Sequence, residues 1–417
     1  MVGLFPFREV AWAAHFIYHL AYSAFTARTV YMVKYPAMIR TDDSNAFAHD
    51  TMKRRIPANI REVAALNADY PPFILQALNR LATAIENDEP IAPFNPFLPD
   101  ADPWEAGAAA HEGHTWQQTD WFFAELAAYR HLIDTVRWWE TGRDPFAPQK
   151  AKEMGSEELW GTLSKALTVA AEENTLEQRL QDLIRLDLWG NRIDLSFAAS
   201  LAHGSAGSHE DILVDDSAVV AEHLMRQNGA VHFVADNTGT ELAMDLVLAD
   251  SILIKGHPVT FHLKLHPTFV SDTIVVDFHI MLAAMQSGEH GQATTELGQR
   301  LQTAFDEGRL RLAPGAFWNS PYVMSEMPKR LAAAFKDAAL VIVKGDLNYR
   351  RLVSDTLWES DTPFTEICGY FPAPLLALRT LKSDAVVGLA SGLAAQLDTE
   401  DAKWRVNGKR GVIQFKV

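Results

Sequence analysis

Asp236 and Asn237 close an apolar run, Val231-His-Phe-Val-Ala235, with two side-chain oxygens in succession. A buried strand that stops on a carboxylate and a carboxamide delivers both to the carboxyl edge of a sheet. That edge is where open α/β sheets bind their ligands. A second run, Val259-Thr-Phe-His-Leu-Lys264, reads as another strand, and Asp272 follows it within Val270-Ser-Asp-Thr273. Two carboxylates and an amide oxygen form a hard set that suits Mg²⁺ or Mn²⁺ better than zinc. Taken alone, the Asp-Asn pair reads more simply as a cap on the helix that follows.

The rest of the C-terminal half changes that balance. Ala339-Leu-Val-Ile-Val343 is a further buried strand and runs into Lys344-Gly-Asp-Leu-Asn-Tyr-Arg350. Phe371-Pro-Ala-Pro374 reads as a rigid turn, because proline fixes φ, and it aims Arg379-Thr-Leu-Lys382. Cationic and amide side chains just past strand ends are what a phosphate needs beside a divalent metal.

These segments together resemble the damage-control phosphatases, a metal-dependent family. The likeness is greatest to the eukaryotic-type branch, which holds sugar-phosphate phosphatases and a proposed acidic-residue methyltransferase, and whose hallmark is Arg-Thr-x-Lys. Phe47-Ala-His-Asp-Thr-Met-Lys-Arg-Arg-Ile-Pro57 resembles the family's opening segment, and Trp121 to Arg130 its helical signature. Leu188-Trp-Gly-Asn-Arg-Ile-Asp-Leu-Ser196 resembles its junction. Phe317-Trp318, Met327-Pro328, Trp404 and Asn407 to Phe415 match later segments in order.

The resemblance implies that Asp236, Asn237 and Asp272 are the catalytic set and ligate a divalent metal. Mn²⁺ or Ni²⁺ is expected first, with Co²⁺ or Mg²⁺ as alternatives. It further implies that Asp236, Asn237, Asp346, Leu347, Asn348, Tyr349, Arg350 and Lys382 contact the substrate, a small sugar phosphate resembling fructose 1-phosphate. Lys382 is then the phosphate cation, and Asp346 bonds sugar hydroxyls or shuttles a proton. Glu241 suits the N-terminus of its helix, and a methyltransferase would make it a cofactor contact. Lys344 either closes the site or pairs with an acid at the strand end, and Arg379 either anchors its loop or touches substrate. Asp245 and Asp250 read as solvent-facing helix acids.

The second function carried forward is an S-adenosylmethionine-dependent protein-glutamate carboxyl methyltransferase, and the third is a noncatalytic binding protein. Rossmann sites for such cofactors normally use a glycine-rich strand-to-helix turn. Asp-Asn-Thr-Gly has one glycine. A noncatalytic relative predicts erosion of the acid, amide and lysine set, which is intact.

Composition bounds the partners. The formal charge of −16 over 417 residues argues against nucleic acid, whose phosphates require a basic face. No obligate protein partner is evident. Cys368 is the only cysteine, so neither an intrachain disulfide nor a cysteine-rich zinc site is available. His111-Glu-Gly-His114 lacks the i,i+4 spacing of a zincin helix, and its histidines read as structural or solvent-facing.

The elements that must position this chemistry fall into a helical region over 45–190 and an α/β region over 191–417, preceded by an extension, 1–44. Ile74, Leu78, Leu81 and Ile85 recur at helical spacing, and Thr175 with Gln178 is placed as a capping box. Glu125, Tyr129 and Arg130 share a helix face, which predicts interhelical packing with a surface ion pair; the resemblance implies, as the alternative, that they help line the active cleft. After residue 191, strands are expected at Ile212–Val214, Val231–Ala235, Val259–Lys264, Ala339–Val343, Ala385–Leu389 and Val412–Phe415. Helices at Ala218–Gln227, Glu241–Leu253 and Met327–Ala338 intervene. Alternating βαβ units predict a doubly wound, mostly parallel, Rossmann-like sheet. His203 to Asp211 reads as a surface loop. Val10 to Ala27 carries no formal charge but too many polar residues for a span. An organelle-targeting segment, an appended helix or a start at Met32 or Met38 all fit it. No membrane association and a cytoplasmic location are expected.

Overall fold

Apolar runs bounded by polar turns pair into one seven-stranded sheet in the computed structural model of the protein, which describes residues 35–172, 174–190 and 211–417. The strands are β1 (Ile212–Asp215), β2 (Val231–Val234), β3 (Val259–Lys264), β4 (Leu310–Gly315), β5 (Leu340–Lys344), β6 (Leu375–Thr380) and β7 (Gly411–Lys416). Their order is β1-β7-β6-β5-β2-β3-β4. All neighbours run parallel except β6 and β7. The expected α/β fold is observed.

Period-two alternation feeds two cores. Val341 and Val343 of β5 face one apolar cluster, and Leu340 and Ile342 face the other. Strands buried on both faces are near-continuously apolar, as β2 and β5 are. The first core takes in Ile74, Leu78 and Ile85 of the helix Pro72–Glu86 and most of the helix Trp121–Thr135. The second is built on the helix Thr240–Lys255, against which Glu157–Ala171 and Leu176–Leu188 pack. Tyr35 to Val417 form one compact unit. The Thr175 side chain caps the last of these helices by accepting from the Gln178 N–H.

Two strands depart from expectation. Ala385–Leu389 is buried but forms no strand. Gly388 has φ +75°, and the Val387 carbonyl accepts from the Gln414 side chain. The strand lies earlier, at β6, whose Leu-Leu-Ala-Leu-Arg-Thr sequence consists largely of helix formers. It becomes a strand because β5 and β7 flank it on both edges. β4, at the sheet edge, was not expected either, and its Pro314 is tolerated there.

The stretch Val10–Ala27, the loop residues 203–210 and residues 191–196 of the junction motif lie outside the described residues. Among the described residues, no helix is long and apolar enough to cross a membrane.

The chain moves outward from β2 through β3 to β4, then returns to the other side of β2 as β5. This reversal creates a crevice at the carboxyl ends of β2 and β5, the position where doubly wound sheets bind ligands. Asp236-Asn237 leave β2 there, and Gly345-Asp346 leave β5.

Candidate active site

Backbone bonds zip the two acidic loops together. The Thr238 N–H donates to Ser271 O and the Thr273 N–H to Asp236 O, both at 2.7 Å, and Asn237 and Asp272 face each other across an antiparallel bridge. Ser271 Oγ donates to Asn237 Oδ1 at 2.7 Å. That bond turns the amide nitrogen toward Asp236 Oδ2 at 3.2 Å and Glu241 Oε2 at 3.0 Å. Before Asp272 the backbone is strained: Phe269 and Val270 have φ of +46° and +72°. Such conformations cost about 1–3 kcal/mol each and cluster at functional sites. A β-branched residue there is an outlier.

Carboxylates crowd this crevice and are only partly compensated. Asp236, Asp272 and Glu241 are all buried. Burial, followed by repulsion from Glu241 and Asp272, pushes the Asp236 carboxyl well above the usual carboxylate range. Burial also raises Asp272 and Glu241, although Lys264 and Lys344 respectively work against it. Lys264 Nζ lies 3.2 Å from Asp272 Oδ2, yet that oxygen has no hydrogen bond of normal geometry. Gly345, with φ +82°, passes so close that a Cβ on it would lie 1.9 Å from Asp236 Oδ2.

This donor set fits a hard divalent cation. Among the described residues, no three His, Cys, Asp or Glu side chains converge enough to cage an ion by themselves. Two carboxylates and the Asn237 amide would hold it, leaving positions for water and a phosphate oxygen, as such ions prefer.

One short helix reaches both loops. Lys150 and Glu153 sit three residues apart on Ala147–Met154. Lys150 Nζ donates to the Asp272 carbonyl at 3.2 Å, and also to Asp277 at 2.7 Å and Asp144 at 2.9 Å. Glu153 Oε1 accepts from the Thr240 N–H at 2.8 Å. It fills the space over Gly239, whose φ is +72°.

The loop after β6 is organised around Asp346. Its Oδ1 accepts from Arg379 Nε at 2.8 Å, Ser383 Oγ at 3.0 Å and the Lys382 N–H at 3.1 Å. Burial opposes ionisation of this acid, but the Arg379 and Arg350 charges outweigh it and hold the carboxyl below its usual range. Arg379 is fully buried and anchors the loop, donating to the Ala385 and Ser383 carbonyls. It stacks over Tyr349 at 4.3 Å. The Lys382 side chain has no ion pair among the described residues, and its charge reaches Asp236 and Glu241.

A pocket of about 240 Å³ opens here. Asp236, Asn237, Asp272, Glu241, Asp346, Leu347, Arg350 and Lys382 all line it, as do Arg55, Trp121, Glu125 and Phe269. Asn348 and Tyr349 do not. The Asn348 amide donates to the Ala235 and Lys344 carbonyls, and the Tyr349 hydroxyl donates to Gln414. Lys344 is also behind the wall, bound to Asp187 at 2.5 Å and Asp245 at 2.8 Å, with Glu241 at 3.9 Å. Those carboxylates keep it protonated against burial.

Arg350 reaches the pocket but is already paired, with Asp355 at 2.7 Å and with Glu125, and lies 3.5 Å over Trp121. Glu125 and Arg130 are therefore not surface ion pairs. Arg130 is buried with Asp100 at 2.7 Å. Nor are Asp245 and Asp250 solvent-facing: Asp245 is fully buried beside Lys344, and Asp250 accepts a forked pair from Arg300. His111 is structural, stacked on Phe123 and bonded to Asp120 at 3.0 Å.

Glu125 lines the pocket, the alternative that the resemblance held out for it, and Arg55 joins it there without having been singled out in the sequence. Both lie inside the motifs that carried the resemblance, and Pro57, two residues after Arg55, was the available signal for an irregular turn.

The damage-control phosphatase ARMT1-like domain model matches residues 51–397, a span that contains every pocket residue named above. The chain belongs to this family. Relatives named damage-control phosphatase ARMT1 include that of Danio rerio, 29% identical over 88% of this chain and 90% of the relative. The Mus musculus protein is 29% identical over 92% of this chain and 99% of its own length, and the Homo sapiens protein 27% over the same shares. A crystal structure of a DUF89 family protein from Pyrococcus horikoshii superposes with a TM-score of 0.47 at 17% identity, covering 89% of this chain and 98% of that one. The family assignment makes this chain a phosphatase of the damage-control class.

Proposed function

We propose that this phosphatase depends on a divalent metal and hydrolyses small sugar phosphates resembling fructose 1-phosphate. The observation that carries the reading is the buried crowding of carboxylate at Asp236 and Asp272, which the cation in contact, Lys264, offsets only in part. Asp236, Asn237 and Asp272 would hold the ion. When bound, it lowers the pKa of its water and polarises a phosphoryl oxygen.

The chain's own groups do the rest. Lys382, which has no ion pair among the described residues, presents its ammonium to the phosphoryl oxygens, a charge of the kind that stabilises such transition states. Asp346 keeps Oδ1 in its loop bonds, which leaves Oδ2 to accept from a sugar hydroxyl. Trp121, Phe269 and Leu347 supply apolar wall that limits water. The volume of about 240 Å³ suits a small metabolite. Mn²⁺ or Ni²⁺ is the first choice of ion, on the resemblance, and the cytoplasm the proposed location.

The methyltransferase reading is disfavoured by Gly239. A cofactor's close approach to that turn would meet the Glu153 carboxylate already seated over it. The test is phosphate release from fructose 1-phosphate and related esters with Mn²⁺, Ni²⁺, Co²⁺ or Mg²⁺, without S-adenosylmethionine. Release should stop with chelator, return with metal and be absent in Asp236→Ala. Robust methyl transfer to protein carboxylates with no ester cleaved under any metal would overturn the proposal.

A further inference from the structure

The pocket wall contributed by the N-terminal helices holds a cation that the site as described does not use. The segment Ala46–Leu66 is not a uniform α-helix. Thr51–Arg55 forms a π-helical turn, closed by the Ile56 N–H donating to Thr51 O five residues back. Pro57 explains the irregularity. It sits in the first turn of the following helix and has no N–H to return to Lys53, so the ladder resets through a wider turn. Such turns occur mostly as single insertions and frequently at functional sites. This one buries Thr51 and Met52 and ends on Arg55 at the pocket.

Three cations line the pocket: Arg55, Arg350 and Lys382. Arg350 is consumed by Asp355 and Glu125. Among the described residues, the Arg55 guanidinium and the Lys382 ammonium make no hydrogen bond or ion pair. They enter from opposite parts of the chain, Arg55 from the helices that precede the sheet and Lys382 from the loop after β6. Arg55 lines the same pocket as Asp236, Asp272 and Glu125 and is itself exposed to solvent.

We propose that Arg55 is a second substrate-binding cation, donating its forked N–H groups to phosphoryl oxygens opposite Lys382. The inference rests on the phosphatase reading and names how the anion is gripped. A phosphomonoester carries close to two negative charges. Lys382 offers a point charge, whereas a planar guanidinium offers two parallel donors matched to adjacent phosphate oxygens. Arg55 and Lys382 together balance the dianion without drawing on Arg350, whose release would leave Glu125 and Asp355 buried and unpaired.

The experiment is isothermal titration of inorganic phosphate into the Mn²⁺-loaded full chain, beside kinetics on fructose 1-phosphate, for wild type, Arg55→Ala, Arg55→Lys and Lys382→Ala. Arg55→Ala should weaken phosphate binding roughly 10- to 100-fold, the span of one charge-assisted contact, with its melting temperature unchanged. Arg55→Lys should recover part of the loss. Unchanged phosphate affinity in folded Arg55→Ala, full recovery in Arg55→Lys, or no phosphate binding by the wild type would each overturn the forked contact. The two readings fail separately. Phosphate affinity that depends on Arg55 without ester cleavage sinks only the phosphatase substrate, and cleavage with Arg55-independent phosphate affinity sinks only this contact.

Discussion

Two acidic loops sit at neighbouring strand ends, and their electrostatics are opposite. After β5, Asp346 is met by Arg379, Ser383 and a backbone N–H, and its carboxyl is held low. After β2 and β3, Asp236 and Asp272 crowd Glu241, with Lys264 as the cation in contact, and their carboxyls are pushed up. A buried acid with its partners in place is architecture, since breaking a buried pair is strongly destabilising. A buried acid lacking them is a site that something else completes. The difference separates an acid whose charge the chain itself balances from acids whose charge a bound cation would balance.

The largest effect expected from this contrast is on catalysis. Asp236→Ala or Asp272→Ala should lower metal-dependent turnover by roughly 10³-fold or more, because the ion's share is several kcal/mol. The metal-free fold should be retained or stabilised, since a repelled charge is removed. Near-wild-type turnover with metal still bound would break the contrast.

Arg379→Met should behave in the reverse way. It leaves Asp346 without its cation, so stability should drop by about 3 kcal/mol on a denaturant midpoint, with catalytic efficiency falling because the Lys382 loop loses its anchor. A variant as stable as wild type would show that Ser383 and the Lys382 N–H suffice.

Lys150→Met is a smaller perturbation. Its ammonium holds the Asp272 carbonyl from the Ala147–Met154 helix, and outer contacts of this kind are worth about 10- to 100-fold in metal affinity. Calorimetric titration with Mn²⁺ should register a loss within that range. Unchanged affinity would make the lysine purely structural.

The smallest effect is in pH dependence. Asp236 is raised in the fold, so the folded state holds its proton above the ordinary value near 3.8. In metal-free protein this group removes stability as pH climbs from that value through its raised pKa. Asp346 is lowered, so its contribution is present above the ordinary value and is lost as pH falls through the depressed one. Melting curves across pH should show the first slope without metal and a shallower one with it, because the ion takes the proton's place. Identical slopes would contradict the assignment.

Much of the site was legible because strand ends are legible. Val231–Ala235 and Ala339–Val343 are apolar runs stopped by polar residues, and the Asp236-Asn237 and Gly345-Asp346 that follow land in the crevice. β6 was not, since Leu-Leu-Ala-Leu-Arg-Thr has helix propensity and becomes a strand only between two partners. The same blindness covers Asp245 and Asp250. Polar spacing on a helix signals exposure only while no second layer covers it, and the helix Thr240–Lys255 is buried almost all round. Glu125 and Arg55 depend on contacts between distant segments, which local pattern does not carry.

The proposed metal site has Asp236, Asn237 and Asp272 together hold one divalent ion. Crystals of wild type and Asp272→Asn soaked in Mn²⁺, with anomalous data recorded at the manganese edge, test it directly. A single strong peak is expected within coordination distance of all three side chains in the wild type, with its loss or collapse in Asp272→Asn. A protein that turns over substrate with manganese while its peak lies elsewhere, or that keeps the same peak in Asp272→Asn, would contradict it.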